Sequence, residues 1–174
     1  NLGLLYTKQG RFAEAETLYK ESLKIHEKNL GPEHPSVALQ LNNLAYLYFN
    51  QGRYSEAEPL YKRSLAIREK ALGTEHPDVA ISLNDLALLY VEKGSYAEAE
   101  PLYKRALVIK EKILGPEHTD VALSLNNLAL LYDKQSRYAE AEPLNKRSLT
   151  IYEKAFGPDH PNVALSLNNL ALLY

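Results

Sequence analysis

A unit of 42 residues, repeated along the whole chain, constrains what this sequence can fold into more than any other feature. Tyr6, Tyr48, Tyr90, Tyr132 and Tyr174 stand 42 apart, and each closes a copy of one stretch. The copies are Asn1–Tyr6, Asn43–Tyr48, Asp85–Tyr90, Asn127–Tyr132 and Asn169–Tyr174, the last two reading NLALLY from their first residue. A fixed period of about 20–50 residues marks an array in which each unit is one supersecondary element and neighbours bury one another. The units fall at about 1–42, 43–84, 85–126 and 127–168, with a partial fifth over 169–174. They predict a single array over 1–174.

Each unit reads as two helices. In the unit from 77 to 115, Pro77 suits a first helical position, where its missing N–H costs nothing. Val79, Leu83, Leu86, Ala87 and Tyr90 then form one stripe of a 3.6-residue period. Gly94 ends this helix, since glycine accepts the left-handed conformation common at helix ends. A second helix starts near Tyr96, with Ala99, Tyr103, Ala106, Leu107 and Leu114 on its stripe, widened by Leu102, Ile109 and Ile113, and it stops at Gly115 and Pro116. The short turn between the two predicts an antiparallel hairpin. Small residues at Ala45, Ala57 and Ser64, at Ala87, Ala99 and Ala106, and at Ala129, Ala141 and Ser148 let axes approach closely. One hairpin cannot cover its own apolar surface, so neighbours must stack.

The second helix carries an oddity. Pro59, Pro101 and Pro143 sit about a turn inside it, with Thr17 in the first unit, and a loosened first turn is expected there. Glu58–Lys62, Glu100–Lys104 and Glu142–Lys146 form i,i+4 pairs on the outside. Two substitutions break the pattern. Ser136 stands where Gly10, Gly52 and Gly94 stand, and Asn145 replaces Tyr19, Tyr61 and Tyr103 on the buried stripe. A serine at positive φ is strained, and a buried amide must find partners or cost stability. Drift near an end is the expected account of both, with a functional site as the alternative.

Composition narrows the function classes. The net charge of −2 offers no general attraction for nucleic acid. No apolar run approaches the roughly 18 residues of a membrane span. Cysteine is absent, which excludes disulfides and thiolate metal sites and fits a reducing, cytoplasmic setting. The chain holds no methionine and both ends cut the same element, so it reads as a piece of something longer. No signal segment opens it.

Histidines recur at His34, His76, His118 and His160. A metal gathers its ligands within about 2 Å, whereas equivalent atoms of stacked repeats lie about 10 Å apart. The ring is therefore expected to tie the loop between units, and no metal or other cofactor is implied. His26, alone on its helix, reads as solvated. Phosphate-binding loops, HExxH, GxSxG and cysteine nucleophiles are all missing, and the glutamates belong to charged helix faces. The chain is expected not to be an enzyme.

The pattern NLAxLYxxxGxYxEAExLY resembles the tetratricopeptide repeat, with Leu86, Ala87, Tyr90, Gly94, Tyr96 and Ala99 on its signature positions. The longer unit, with LNNLALLY, AEPLYKRSLAIREK and LGPEHPDVA, is similar to the repeats of kinesin light chain and its bacterial relatives. The resemblance covers the whole chain. It implies an all-α, right-handed superhelical solenoid of antiparallel helix pairs, with a concave groove lined by the first helix of each pair. Nothing here matches the heptad segment with which kinesin light chains bind the motor.

By the 100° step of a helix, Ile81, Asn84, Asp85, Leu88, Val91 and Glu92 share the face opposite the buried stripe. Leu39, Asn42, Asn43, Tyr46, Phe49 and Asn50 repeat it, as do Leu123, Asn126, Asn127, Leu130, Asp133 and Lys134. Paired asparagines at mid-helix are locally unfavourable. One reading is that their amides meet the backbone of an extended peptide, a carboxamide offering both donor and acceptor, with Leu88, Leu130 and Tyr46 contacting its side chains. The other is that one asparagine of each pair bonds across to the next repeat. The expected function is a scaffold that holds a partner protein's extended peptide, kinesin light chain-like. The alternative is a structural or self-associating spacer within a larger bacterial-type signalling protein. Leu2, Leu4 and Leu5 at one end, and Leu170, Leu172, Leu173 and Tyr174 at the other, predict end-to-end self-association.

Overall fold

A computed structural model describes residues 2–172. Among them are nine helices and no strand: α1 (Leu2–Lys8), α2 (Phe12–Leu30), α3 (Pro35–Asn50), α4 (Tyr54–Leu72), α5 (Pro77–Glu92), α6 (Tyr96–Leu114), α7 (Thr119–Lys134), α8 (Tyr138–Phe156) and α9 (Pro161–Ala171). Odd-numbered helices are the first of each pair and even-numbered helices the second. The chain forms two compact units, Asn1–Leu89 and Tyr90–Tyr174, and each is taken by itself.

In the first unit, Val37, Ala38 and Leu41 of α3 close on Ile67 of α4, with Leu23 and Leu60 against them. In the second, Val121, Ala122 and Leu125 of α7 meet Ile151 and Tyr152 of α8 and Val163 of α9. The small residues are buried between the helices. Ala57, Ala99, Ala106 and Ala141 are fully buried. Ser64 Oγ donates to the Ala38 carbonyl at 2.8 Å and Ser148 Oγ to that of Ala122 at 3.0 Å. The predicted stripe holds for Val79, Leu83, Leu86, Ala87, Ala99, Tyr103, Ala106 and Ile109. Ile113 and Leu114 depart from it and are exposed. The second helices run 19 residues against 16 for the first, so their last turn has less opposite it.

The turn inside each pair explains its glycine. Gly52 has φ +71°, and it lets the Arg53 N–H reach back to the Tyr48 carbonyl at 2.9 Å and Gly52 N–H to that of Phe49 at 2.9 Å. Such bonds satisfy carbonyls that the helix end leaves open. Ser136 adopts the same conformation at φ +59°. Its bonds are preserved, with Arg137 N–H on the Tyr132 carbonyl at 2.8 Å.

The recurrent histidines have a defined task. Backbone N–H groups of Ser36, Asp78, Asp120 and Asn162 donate to Nδ1 of His34, His76, His118 and His160 at 3.1–3.2 Å. Each histidine thereby caps the helix that follows, using an acceptor nitrogen in place of the usual side-chain oxygen. His118→Ala should cost about 1 kcal/mol, read as faster amide exchange at the start of α7. His118→Asn, which keeps an acceptor, should lose much less.

α4, α6 and α8 run unbroken through Pro59, Pro101 and Pro143. In α2 the corresponding Thr17 hydroxyl donates to the Ala13 carbonyl at 3.0 Å, the carbonyl a proline would leave without its N–H. The i,i+4 pairs form at 2.6–2.7 Å. Leu2, Leu5 and Leu172 are exposed; Asn1, Leu173 and Tyr174 lie outside the described residues. No described helix is long and apolar enough to cross a membrane.

Candidate functional site

The asparagines of the odd-numbered helices divide into two kinds. In the first unit Leu39, Tyr46, Ile81 and Leu88 are exposed, while Asn42, Asn43, Asn84 and Asp85 are half-buried. Asn42 Nδ2 donates to Asp85 Oδ2 at 2.9 Å, across 43 residues. The bond joins α3 to α5. Asn50 is exposed and donates to the Tyr46 carbonyl of its own helix at 2.7 Å.

In the second unit Leu123, Leu130 and Leu165 are exposed, and between them opens a cavity of about 370 Å³. Asn126, Asn127 and Asn169 line it from α7 and α9, with Tyr152 and Phe156 of α8 also in its wall. Asn127 is half-buried. Asn126 is only 7% exposed, and its Oδ1 has no hydrogen-bond partner in the protein. Lys134 and Glu92 are exposed, whereas Val91, expected on the same face as Glu92, is buried.

The helical step does not reveal the contribution of the even-numbered helices. His26, Arg68, Lys110 and Tyr152 occupy one register position, 42 apart, and are four different residues in units that otherwise nearly coincide. Arg68 is 6% exposed. It donates to Ser82 Oγ at 2.7 Å and to the Asp78 carbonyl at 3.1 Å, and burial lowers its pKa. Lys110 reaches Ser124 Oγ at 2.9 Å. His26 is not solvated: it is half-buried with Nδ1 2.7 Å from the Ser22 carbonyl, and Ser22 Oγ donates to Gln40 Oε1 at 3.1 Å. Its partner is Ser22 of its own helix, and Ser22 in turn links to Gln40 of the next odd-numbered helix. The internal comparison of the four units is the signal that singles this position out.

A second set of polar contacts ties even-numbered helices to the next pair. Glu100 accepts from Arg137 at 2.6 Å, Lys104 at 2.6 Å and the Tyr132 hydroxyl at 3.1 Å. Glu16 does the same with Arg53, Lys20 and Tyr48. The guanidiniums lie over the rings of Tyr132 and Tyr48, 4.2 and 4.0 Å from the centroids. Hydrogen bonds from Arg53 and then Lys20 lower the Glu16 carboxyl to about 2, and those from Arg137 and Lys104 lower Glu100 to about 2. These carboxylates hold helices together, and the described residues contain no cluster of three or more His, Asp or Glu that could hold a metal ion.

Paired helices, a cavity between successive first helices and the 42-residue register together define a helical-repeat scaffold. The tetratricopeptide repeat family matches residues 1–69, 36–112, 87–154 and 134–174, and the chain belongs to that family. Within it, the similarity runs to the kinesin light chain type. A Podosopora anserina structure described as kinesin light chain with nearly identical TPR-like repeats is 32% identical. The alignment covers 99% of this chain and 82% of that one, with a TM-score of 0.88, and the same protein in a second form gives the same values. BtubC (BKLC) from P. vanneervenii is 28% identical over 99% of this chain and 69% of that one, with a TM-score of 0.90. No curated protein matches. The fold class is therefore the all-α solenoid of tetratricopeptide repeats, a non-catalytic scaffold family associated with protein–protein interaction.

Proposed function

We propose that the chain is one continuous array that binds an extended peptide of a partner protein along the face of its odd-numbered helices. The observation that carries this is the 370 Å³ cavity, with the buried, unpartnered Asn126 carboxamide oxygen in its wall and exposed leucines on its rim. A buried acceptor left unmade costs about 1–3 kcal/mol, and a peptide N–H would recover it. Asn43, Asp85 and Asn127 are the polar rungs of this reading, with Asn42, Asn84 and Asn126 beside them and Asn50, Glu92 and Lys134 toward the helix ends. Tyr46, Leu88 and Leu130 take side chains. The protein is a binding scaffold without an activity of its own, and it works in the cytoplasm.

One observation favours the spacer reading at one place. The Asn42–Asp85 bond uses both groups to join neighbouring repeats, so Asn42 is a stacking device whatever else the face does. The test sets affinity against melting temperature for peptides panned from a random library. Asn127→Ala should weaken binding by about 0.5–1.5 kcal/mol and leave the melting temperature nearly unchanged. Asn42→Ala should lower the melting temperature. If Asn127→Ala melts several degrees lower and still binds normally, the groove role of that asparagine is wrong and the spacer reading takes its place.

A further inference from the structure

In three of the four even-numbered helices a buried tyrosine holds one register position. Tyr19, Tyr61 and Tyr103 are 2–3% exposed. The Tyr19 ring lies so close to α1 that a Cβ on Gly3 would stand 2.8 Å from it. Burial raises the pKa of the Tyr19 and Tyr61 hydroxyls. Asn145 takes this register position in α8, 42 residues after Tyr103. It is buried at 3% exposure, and the space of the ring is not refilled. A cavity of about 30 Å³ remains, lined by Asn145, by Ala129, Leu130 and Asp133 of α7, and by Asn169 and Leu172. Leu130 and Asn169 also line the 370 Å³ cavity, so the small one opens off the groove floor. Asn145 Oδ1 is buried without a hydrogen-bond partner.

We propose that this pocket is a subsite for the ammonium group of a lysine in the peptide that the groove holds. The proposal rests on the groove reading above and adds the chemistry of one of its contacts. The pocket is large enough for a head group of about the size of water, which suits an ammonium and not the broad fork of a guanidinium. Its acceptors are the orphaned Asn145 carboxamide oxygen inside and the half-buried Asp133 carboxylate, with the Asn169 carboxamide beside them. An ammonium brings three donors and no acceptor. Ala129, Leu130 and Leu172 give its methylene stem an apolar wall. The substitution that looks like a defect in the repeat thus gives one unit a contact that the other three lack.

The test uses the 174-residue chain and a displayed random peptide library. Peptides selected on the wild type are then measured singly against wild type and Asn145→Tyr, each peptide also with its lysine replaced by norleucine. Asn145→Tyr restores the residue of the other units, and a raised melting temperature shows that it folds. The expected result is a lysine at one fixed position of the selected peptides. Norleucine there and Asn145→Tyr should each weaken binding about tenfold, and the two together no more than either alone. Selected peptides with no fixed lysine that bind both proteins equally would overturn the subsite and leave the groove standing. If no peptide is selected on either protein, the groove reading fails and the subsite with it.

Discussion

Leu125→Ala is expected to lower the free energy of unfolding by about 2–5 kcal/mol, the range for a buried leucine truncated in a close-packed core. Leu125 is fully buried on α7, in the cluster that joins it to α8 and α9. Each hairpin depends on its neighbours for cover, so stability in such an array is a sum of units and interfaces. The loss should therefore fall most heavily on residues 119–171. Hydrogen exchange resolved by residue checks this. Protection falling equally from α1 to α9 would mean that the whole chain unfolds as one cooperative block, and the additive picture would be wrong.

Acid should remove the next largest contribution. Glu16 and Glu100 titrate near 2 in the folded protein against an ordinary value of 4.5. A depressed folded pKa means that the stabilisation is fully present above about pH 4.5 and is lost as the pH falls toward 2. A fifth of each glutamate side chain is exposed and its lysine partner more than half, so water screens the pairs and each is worth about 1 kcal/mol. Urea unfolding at a series of pH values should show wild type losing about 2 kcal/mol for the two clamps together. Glu100→Gln should be less stable at neutral pH and lose about half as much on acidification. If Glu100→Gln keeps the full wild-type acid dependence, the clamp is not what titrates.

The helices were legible because their causes are local. Pro77 and Gly94 bracket one helix, and Val79, Leu83, Leu86 and Ala87 repeat at its period, so both its ends and its buried face follow from 3.6 residues per turn. The left-handed turn at Ser136 was legible from its register with Gly52. The site was legible only as a face. Asn126 and Asn127 are adjacent in sequence, yet one is buried and the other half-buried, a difference set by how near α8 and α9 come. Asn42 finds Asp85 43 residues away. Arg68 and Tyr152 reach the floor of the face from the second helix, and Glu100 spans to Arg137 of the next pair. Long side chains that leave their own helix obey no period, and a helical wheel does not show them.

The variable position on the even-numbered helices bears on how the chain avoids folding wrongly. Nearly interchangeable hairpins present many near-degenerate dockings, the condition that roughens a folding landscape. A hairpin that docks one unit out of place would satisfy almost every apolar contact. It would not satisfy this one. Arg68 needs the small Ser82 and the Asp78 carbonyl, and in the place of His26 it would meet Gln40 instead. Tyr152 packs with Val163 and lines the 370 Å³ cavity, and an arginine moved there would give up the packing of the ring. The contrast between His26 opposite Gln40 and Arg68 opposite Ser82 therefore acts as an address label for the first hairpins, by which one is told apart from the next.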